Sequence, residues 1–106
     1  MSEHRVYSFE KLKVWPEIRL FIKKIYEVSQ TFPSEERYGL TSQIRRAAVS
    51  IASNVAEGAG RSNQKEQKQF YKISYASLME VLSQLIICVD LNYFTEDQLN
   101  DEIRPL

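Results

Sequence analysis

An all-α fold, an antiparallel up-and-down four-helix bundle with a shortened fourth helix, is what this 106-residue sequence predicts. Three observations predict it. Apolar residues recur at intervals of three and four over long stretches, the period of an amphipathic helix. Only three Gly and three Pro occur, and they fall where helices want punctuation. The polar stretches between carry capping residues and no repeat, low-complexity tract or linker, so 1–106 reads as one domain with short connections.

The first helix opens at Trp15-Pro16, where the missing N–H of proline is harmless and its fixed φ already suits a first turn. It runs to about Thr31, with Ile18, Phe21, Ile22, Ile25, Val28 and Phe32 on one stripe and Glu17, Arg19, Lys23, Lys24, Glu27 and Gln30 on the other side. Phe32 to Glu36 is a turn, since Pro33 disfavours helical geometry in the residue before it, and Ser34 is placed to cap the second helix. That helix buries Leu40, Ile44, Ala47, Ala48, Ile51 and Val55, and Gly58 with Gly60 supply its stop. Its small residues Ala47, Ala48, Ser50, Ala52, Ser53 and Ala56 predict close approach of neighbouring helices all round, or reflect only the helix propensity of alanine.

Asn63 with Glu66 three residues later resembles a capping box and starts the third helix, which extends to about Tyr93. Its apolar side chains form two adjacent stripes. Phe70, Ser74, Ser77, Leu78, Val81, Leu85 and Cys88 make one; Tyr71, Tyr75, Met79, Leu82, Ile86, Val89 and Tyr93 make the other. Together they are wider than burial against one layer requires. Either this is the central helix of the bundle, or the second stripe, represented by Tyr71, Tyr75, Leu82 and Ile86, faces another subunit. Thr95 and Gln98 form a further capping box, and Leu99, Ile103 and Leu106 begin a fourth stripe on a helix of about ten residues.

Composition bounds the function. With 43% hydrophobic and 26% charged residues the chain is an ordinary soluble domain, small enough that a partner subunit would naturally cover leftover apolar surface. One cysteine, Cys88, and one histidine, His4, exclude an intrachain disulfide and a Cys/His zinc site. No cofactor is expected. The longest unbroken apolar run, Leu85 to Val89, is far shorter than the roughly 20 residues of a membrane span, and no signal peptide opens the chain. The reading is an intracellular protein of the reducing cytoplasm.

Net charge is zero, from 14 basic and 14 acidic residues, so a basic footprint must be local. Arg61, Lys65, Lys68 and Lys72 recur at i, i+4, i+7 and i+11, which predicts a ladder on the third helix over about 16 Å of rise. Arg45 and Arg46 join it from the second helix, and the segment from Arg45 to Lys72 carries a local charge of +4. The last twelve residues carry −3. A ladder of this kind neutralises phosphates, and copies around a ring strengthen its field; the bland alternative is a solvated face. Tyr71 and Tyr75 stand beside it, suited either to stacking on bases or to the apolar stripe. Catalysis finds little: the acids occupy capping or surface positions, Cys88 lies on a core stripe as a packed thiol, and Asn54, Glu57 and Arg61 are a helix-end network unless they line a pocket.

Longer blocks carry more information than spacing does. Phe9-Glu10-Lys11-Leu12-Lys13-Val14-Trp15, Phe32-Pro33, Tyr38-Gly39-Leu40, Gln43-Ile44-Arg45-Arg46-Ala47-Ala48-Val49-Ser50-Ile51 and Ser53-Asn54-Val55-Ala56-Glu57-Gly58 together resemble the four-helix-bundle family encoded in intervening sequences of bacterial 23S ribosomal RNA. Arg61-Ser62 and the stretch Lys65 to Tyr71 fit its third-helix start. The resemblance implies an up-down bundle assembled as a homopentameric ring, related to the accessory protein of diversity-generating retroelements, which binds nucleic acid and a reverse transcriptase. Two features depart from that pattern: the fourth helix is short, and the chain is neutral where nucleic-acid-binding relatives are basic. The expectation is a non-enzymatic, ribosome-associated oligomer that binds RNA through Arg45, Arg46, Arg61, Lys65, Lys68 and Lys72. The alternative is a scaffold that offers an apolar helix surface to a partner protein.

Overall fold

A computed structural model describes residues 5–105; His4 and Leu106 lie outside the described residues. Four helical elements are present, and no strand occurs among the described residues. Helix α1 spans Val14–Ser29, α2 Leu40–Ala59 and α3 Gln64–Asp90, while α4 is a single turn, Glu96–Gln98, that continues as a π turn over Leu99–Ile103. Short 3₁₀ turns at Ser8–Lys11 and Ser34–Glu36 precede α1 and α2. The first of these has no signature in the apolar spacing. It is held by the Glu10 carboxylate accepting from the Tyr7 N–H at 2.9 Å, and its Phe9 ring meets Trp15 edge-on at 4.6 Å.

The core is one cluster in which Ile25, Ile44, Val81, Leu85 and Cys88 are sealed. Every apolar position assigned to the first stripe of α1 is buried except Ile22, which is half-buried. Helix α2 lies between α1 and α3, so α2 rather than α3 is the central helix. Its small residues serve two neighbours and not all sides: Ala47 and Ala48 are buried, but Ser53 is exposed. Between α1 and α2, the Arg45 guanidinium donates to Ser29 Oγ at 2.8 Å and to the Tyr26 carbonyl at 3.3 Å, and lies 4.7 Å from the Tyr26 ring centroid. Between α2 and α3, Ser74 Oγ donates to the Ile51 carbonyl at 2.8 Å and Ser77 Oγ to Ser50 Oγ at 2.9 Å. Farther along, Gln84 Nε2 donates to Gln43 Oε1 at 3.3 Å. These bonds fix an antiparallel register.

The helix ends show where local reading went astray. Ser34 makes no cap; the Glu36 carboxylate does, with Oε1 accepting from the Leu40 N–H at 3.1 Å while Oε2 accepts from the Tyr93 hydroxyl at 3.1 Å. Gly39 leaves room for that carboxylate, since a Cβ there would stand 2.6 Å from Glu36 Oε1. Gly60 ends α2 in ordinary right-handed geometry, so its conformational freedom is unused. Gly58 is needed for space instead: a Cβ would stand 2.6 Å from Tyr71 Cε1 and 3.1 Å from Phe70 Cβ. Helix α3 stops at Asp90 and not at Tyr93. Asn92 takes φ 63°, and the Asn92 and Tyr93 N–H groups donate back to the Val89 and Cys88 carbonyls, a Schellman end. At α3's start Asn63 caps Lys65 and Glu66 at 2.8 and 3.3 Å, and at α4's start Thr95 and Gln98 cap each other reciprocally at 3.0 Å.

Candidate nucleic-acid interface

Helix α3 is built with polar residues inside and apolar residues outside. Its buried line includes Ser74, Ser77 and Gln84 with Val81, Leu85 and Cys88. Its exposed residues include Ile73, Tyr75, Met79, Ile86 and Ile87, and Leu91 is exposed just past its end. The hydroxyls can be buried because each finds an acceptor on α2. Gln84 Oε1 is the one orphan, buried without a partner among the described residues. By length and composition α3 is apolar enough to cross a bilayer: an 18-residue window reaches mean hydropathy 1.4, and only 33% of that window is buried. Counting unbroken apolar runs missed this, because Ser, Tyr and Gln interrupt the runs without making the helix polar.

The lysines occupy the opposite side of α3 from its core line. At about 100° per residue, Lys65, Lys68 and Lys72 fall within roughly 60° of each other and roughly 170° from the centre of the buried line. All three are exposed, and among the described residues none has a carboxylate within ion-pairing distance. Arg61 precedes α3 and stands in the connector, so it is not a rung of the helix. It pairs with Glu57 at 3.0 Å and stacks over the Phe70 ring at 4.9 Å. Arg45 is turned to α1. Arg46 is exposed on α2, level with the middle of α3 and roughly 13 Å along the axis from Lys72. The six basic residues are therefore not one patch: Lys65, Lys68 and Lys72 stand together, Arg61 borders them, and Arg45 and Arg46 lie apart.

The second apolar stripe divides as well. Tyr71 and Tyr75 stand at the basic end of α3, Tyr71 with a ring edge against Gly58 and Tyr75 projecting with 64% of its surface exposed. Leu82 and Ile86 line a groove of about 580 Å³ between α1, α3 and α4, with Ile18, Phe21, Leu99 and Ile103 on its other walls. The Lys24–Glu102 ion pair, at 2.6 Å, ties α4 to α1 beside it and pushes the Lys24 pKa up.

Elsewhere the chemistry is quiet. Glu57 and Arg61 border an open hollow with Ser53, Ala56 and Gly60, whereas Asn54 turns away to donate to the Ser50 carbonyl at 2.9 Å. Cys88 is sealed, and burial, with the Glu36 charge a lesser cause, pushes its thiol up to about 11. Such a thiol stays protonated and unreactive near neutrality. Among the described residues no cluster of three or more His, Cys, Asp or Glu could hold a metal ion.

Fold and surface together define a small all-α bundle whose outer helix carries a cationic line beside uncovered apolar residues. The chain belongs to the family of the 23S rRNA-intervening sequence protein, whose sequence model matches residues 10–104. No curated protein matches it.

Proposed function

We propose that the protein is a non-enzymatic helical bundle that assembles with copies of itself in the cytoplasm and binds ribosome-associated RNA through the outward face of α3. The observation that carries this reading is the line of Lys65, Lys68 and Lys72, exposed, clear of carboxylates among the described residues, and opposite the core. Three unneutralised cations in a row repel one another, and a polyanion relieves that. Arg61 is a flanking contact, and Arg46, apart on α2, lies outside the lysine line. Arg45 is a structural tie that leaves the interface set. Membership of a family described by 23S rRNA intervening sequences accords with an RNA ligand.

Assembly is supported by the uncovered residues of α3, among them Ile73, Ile86 and Ile87. In the ring of five that the family resemblance implies, each subunit would add its own lysine line and multiply the local charge. Titration of structured RNA at 50 and 200 mM salt tests the reading. Neutralising three phosphates per subunit predicts roughly 40-fold weaker binding at the higher salt. Affinity unchanged by salt, or by replacing Lys65, Lys68 and Lys72 together with Ala, overturns it.

A further inference from the structure

We infer that the interface selects single-stranded RNA, with Tyr71 and Tyr75 as stacking platforms for two unpaired bases between the lysine contacts. This rests on the RNA reading above and narrows its ligand. Lys68 and Tyr71, and again Lys72 and Tyr75, are i, i+3 neighbours, so each lysine side chain leaves the helix beside a tyrosine, with Cβ atoms about 5–6 Å apart. The pattern Lys-x-x-Tyr-Lys-x-x-Tyr thus repeats one phosphate contact and one ring every four residues, or about 6 Å of rise. Bases stacked in a duplex are spaced about 3.4 Å apart and offer no free face to a side chain. A strand that meets one ring every 6 Å must be unstacked, which is the state in which proteins read RNA bases with aromatic side chains.

The two rings are prepared differently for this. Tyr71 is held in place by Gly58, whose missing side chain admits the ring edge, while 36% of the residue stays open. Tyr75 is 64% exposed and makes neither a hydrogen bond nor a ring contact among the described residues. An exposed tyrosine flanked by lysines offers a duplex only its hydroxyl, but offers an unpaired base the whole face of its ring. Arg61, already stacked on Phe70, extends the same end with a flat cation.

The test is fluorescence anisotropy of the full chain with a labelled twelve-nucleotide uridine strand and with a twelve-base-pair RNA duplex, at one salt concentration. The single strand is expected to bind at least tenfold more tightly. Tyr75→Ala should weaken the single strand about tenfold and leave the duplex unchanged, Tyr75→Phe should bind as the parent does, and the light-scattering mass should not move. Equal binding of both RNAs, sensitive to salt and lost on replacing the three lysines, overturns the single-strand assignment while leaving the RNA reading intact. Binding of neither RNA overturns both. A Tyr75→Ala chain with altered mass makes Tyr75 a subunit contact, which also overturns the assignment.

Discussion

Against α2, helix α3 presents Ser74, Ser77 and Gln84 among its core residues; away from α2 it presents Ile73, Tyr75, Met79, Ile86 and Ile87. A lone bundle would place these sets the other way round. The inner set makes sense as a register device. Small hydroxyl side chains let α2 and α3 approach closely, and their bonds to Ile51 and Ser50 are satisfied only at one alignment. Apart from Ile86, which walls the groove with Leu99 and Ile103, the outer set is left exposed by the protomer. Its apolar area is a reservoir of free energy that only a second body can release, at roughly 25 cal/mol per Å² covered.

Neighbouring positions break or sharpen this contrast. Leu85 is sealed against α2, and Leu85→Ala should destabilise the protomer by about 2–5 kcal/mol through lost burial and a cavity. Ile86, one residue on, is 48% exposed in the groove. Ile86→Ala should change urea stability at low protein concentration by under about 1 kcal/mol, but lower the assembled mass seen by light scattering. Equal destabilisation by the two changes would show that the outward face is held by the protomer itself.

The inner side also predicts an alkaline limb. Cys88 titrates near 9.0 when free and at about 11 in the fold, and the Glu36 hydrogen bond raises Tyr93 in the same direction. A raised pKa means that the folded state keeps a proton that the unfolded chain gives up, so this stability is full below about 9 and drains away as pH climbs toward 11. For Cys88 the loss is on the order of 2–3 kcal/mol. Urea midpoints at pH 8 and pH 10.5 should fall accordingly, and Cys88→Ala should flatten the fall. A midpoint independent of pH over this range would mean that water reaches the thiol.

Much of this architecture was legible in the sequence, because the three-and-four spacing of Ile18 to Phe32 and of Ile44 to Val55 reports burial directly. The capping pair Thr95 and Gln98 and the Asn63 cap were legible for the same local reason. What spacing could not report was which face of a helix meets another helix. Thus α3 read either as the central helix or as one facing another subunit, when α2 holds the central place, and Arg61 read as a rung of a helix that begins after it. Arg45 looked like its neighbour Arg46, since nothing local distinguishes a guanidinium that reaches Tyr26 from one left in water. Glu36 took the place of Ser34 as the cap, and its second oxygen accepts from Tyr93, a contact between residues far apart in the chain that no local pattern reports.

Gly58 tests how tightly the two helices are set. A methyl group there meets Phe70 Cβ at 3.1 Å, and that atom is fixed to the α3 backbone, so Gly58→Ala should separate the helices and destabilise by about 1–3 kcal/mol. It should also release the Tyr71 ring edge. Thermal denaturation checks the first effect; a stability equal to the parent's would mean that α3 shifts freely on α2.

The smallest effect separates the two kinds of cation. Arg45 lies over Tyr26 and bonds to Ser29, so Arg45→Ala removes an attachment of α1 to α2 worth about 1 kcal/mol and leaves RNA affinity where it was. Lys68→Ala should do the reverse: stability within about 0.5 kcal/mol of the parent, as for an exposed residue without partners, and a salt slope for RNA shallower by about 0.7 per site. Denaturant midpoints and binding isotherms on the same two variants read both quantities. If Arg45→Ala weakened RNA binding as much as Lys68→Ala, the guanidinium would have to leave Tyr26 when RNA arrives, and the inner and outer cations would be one interface after all.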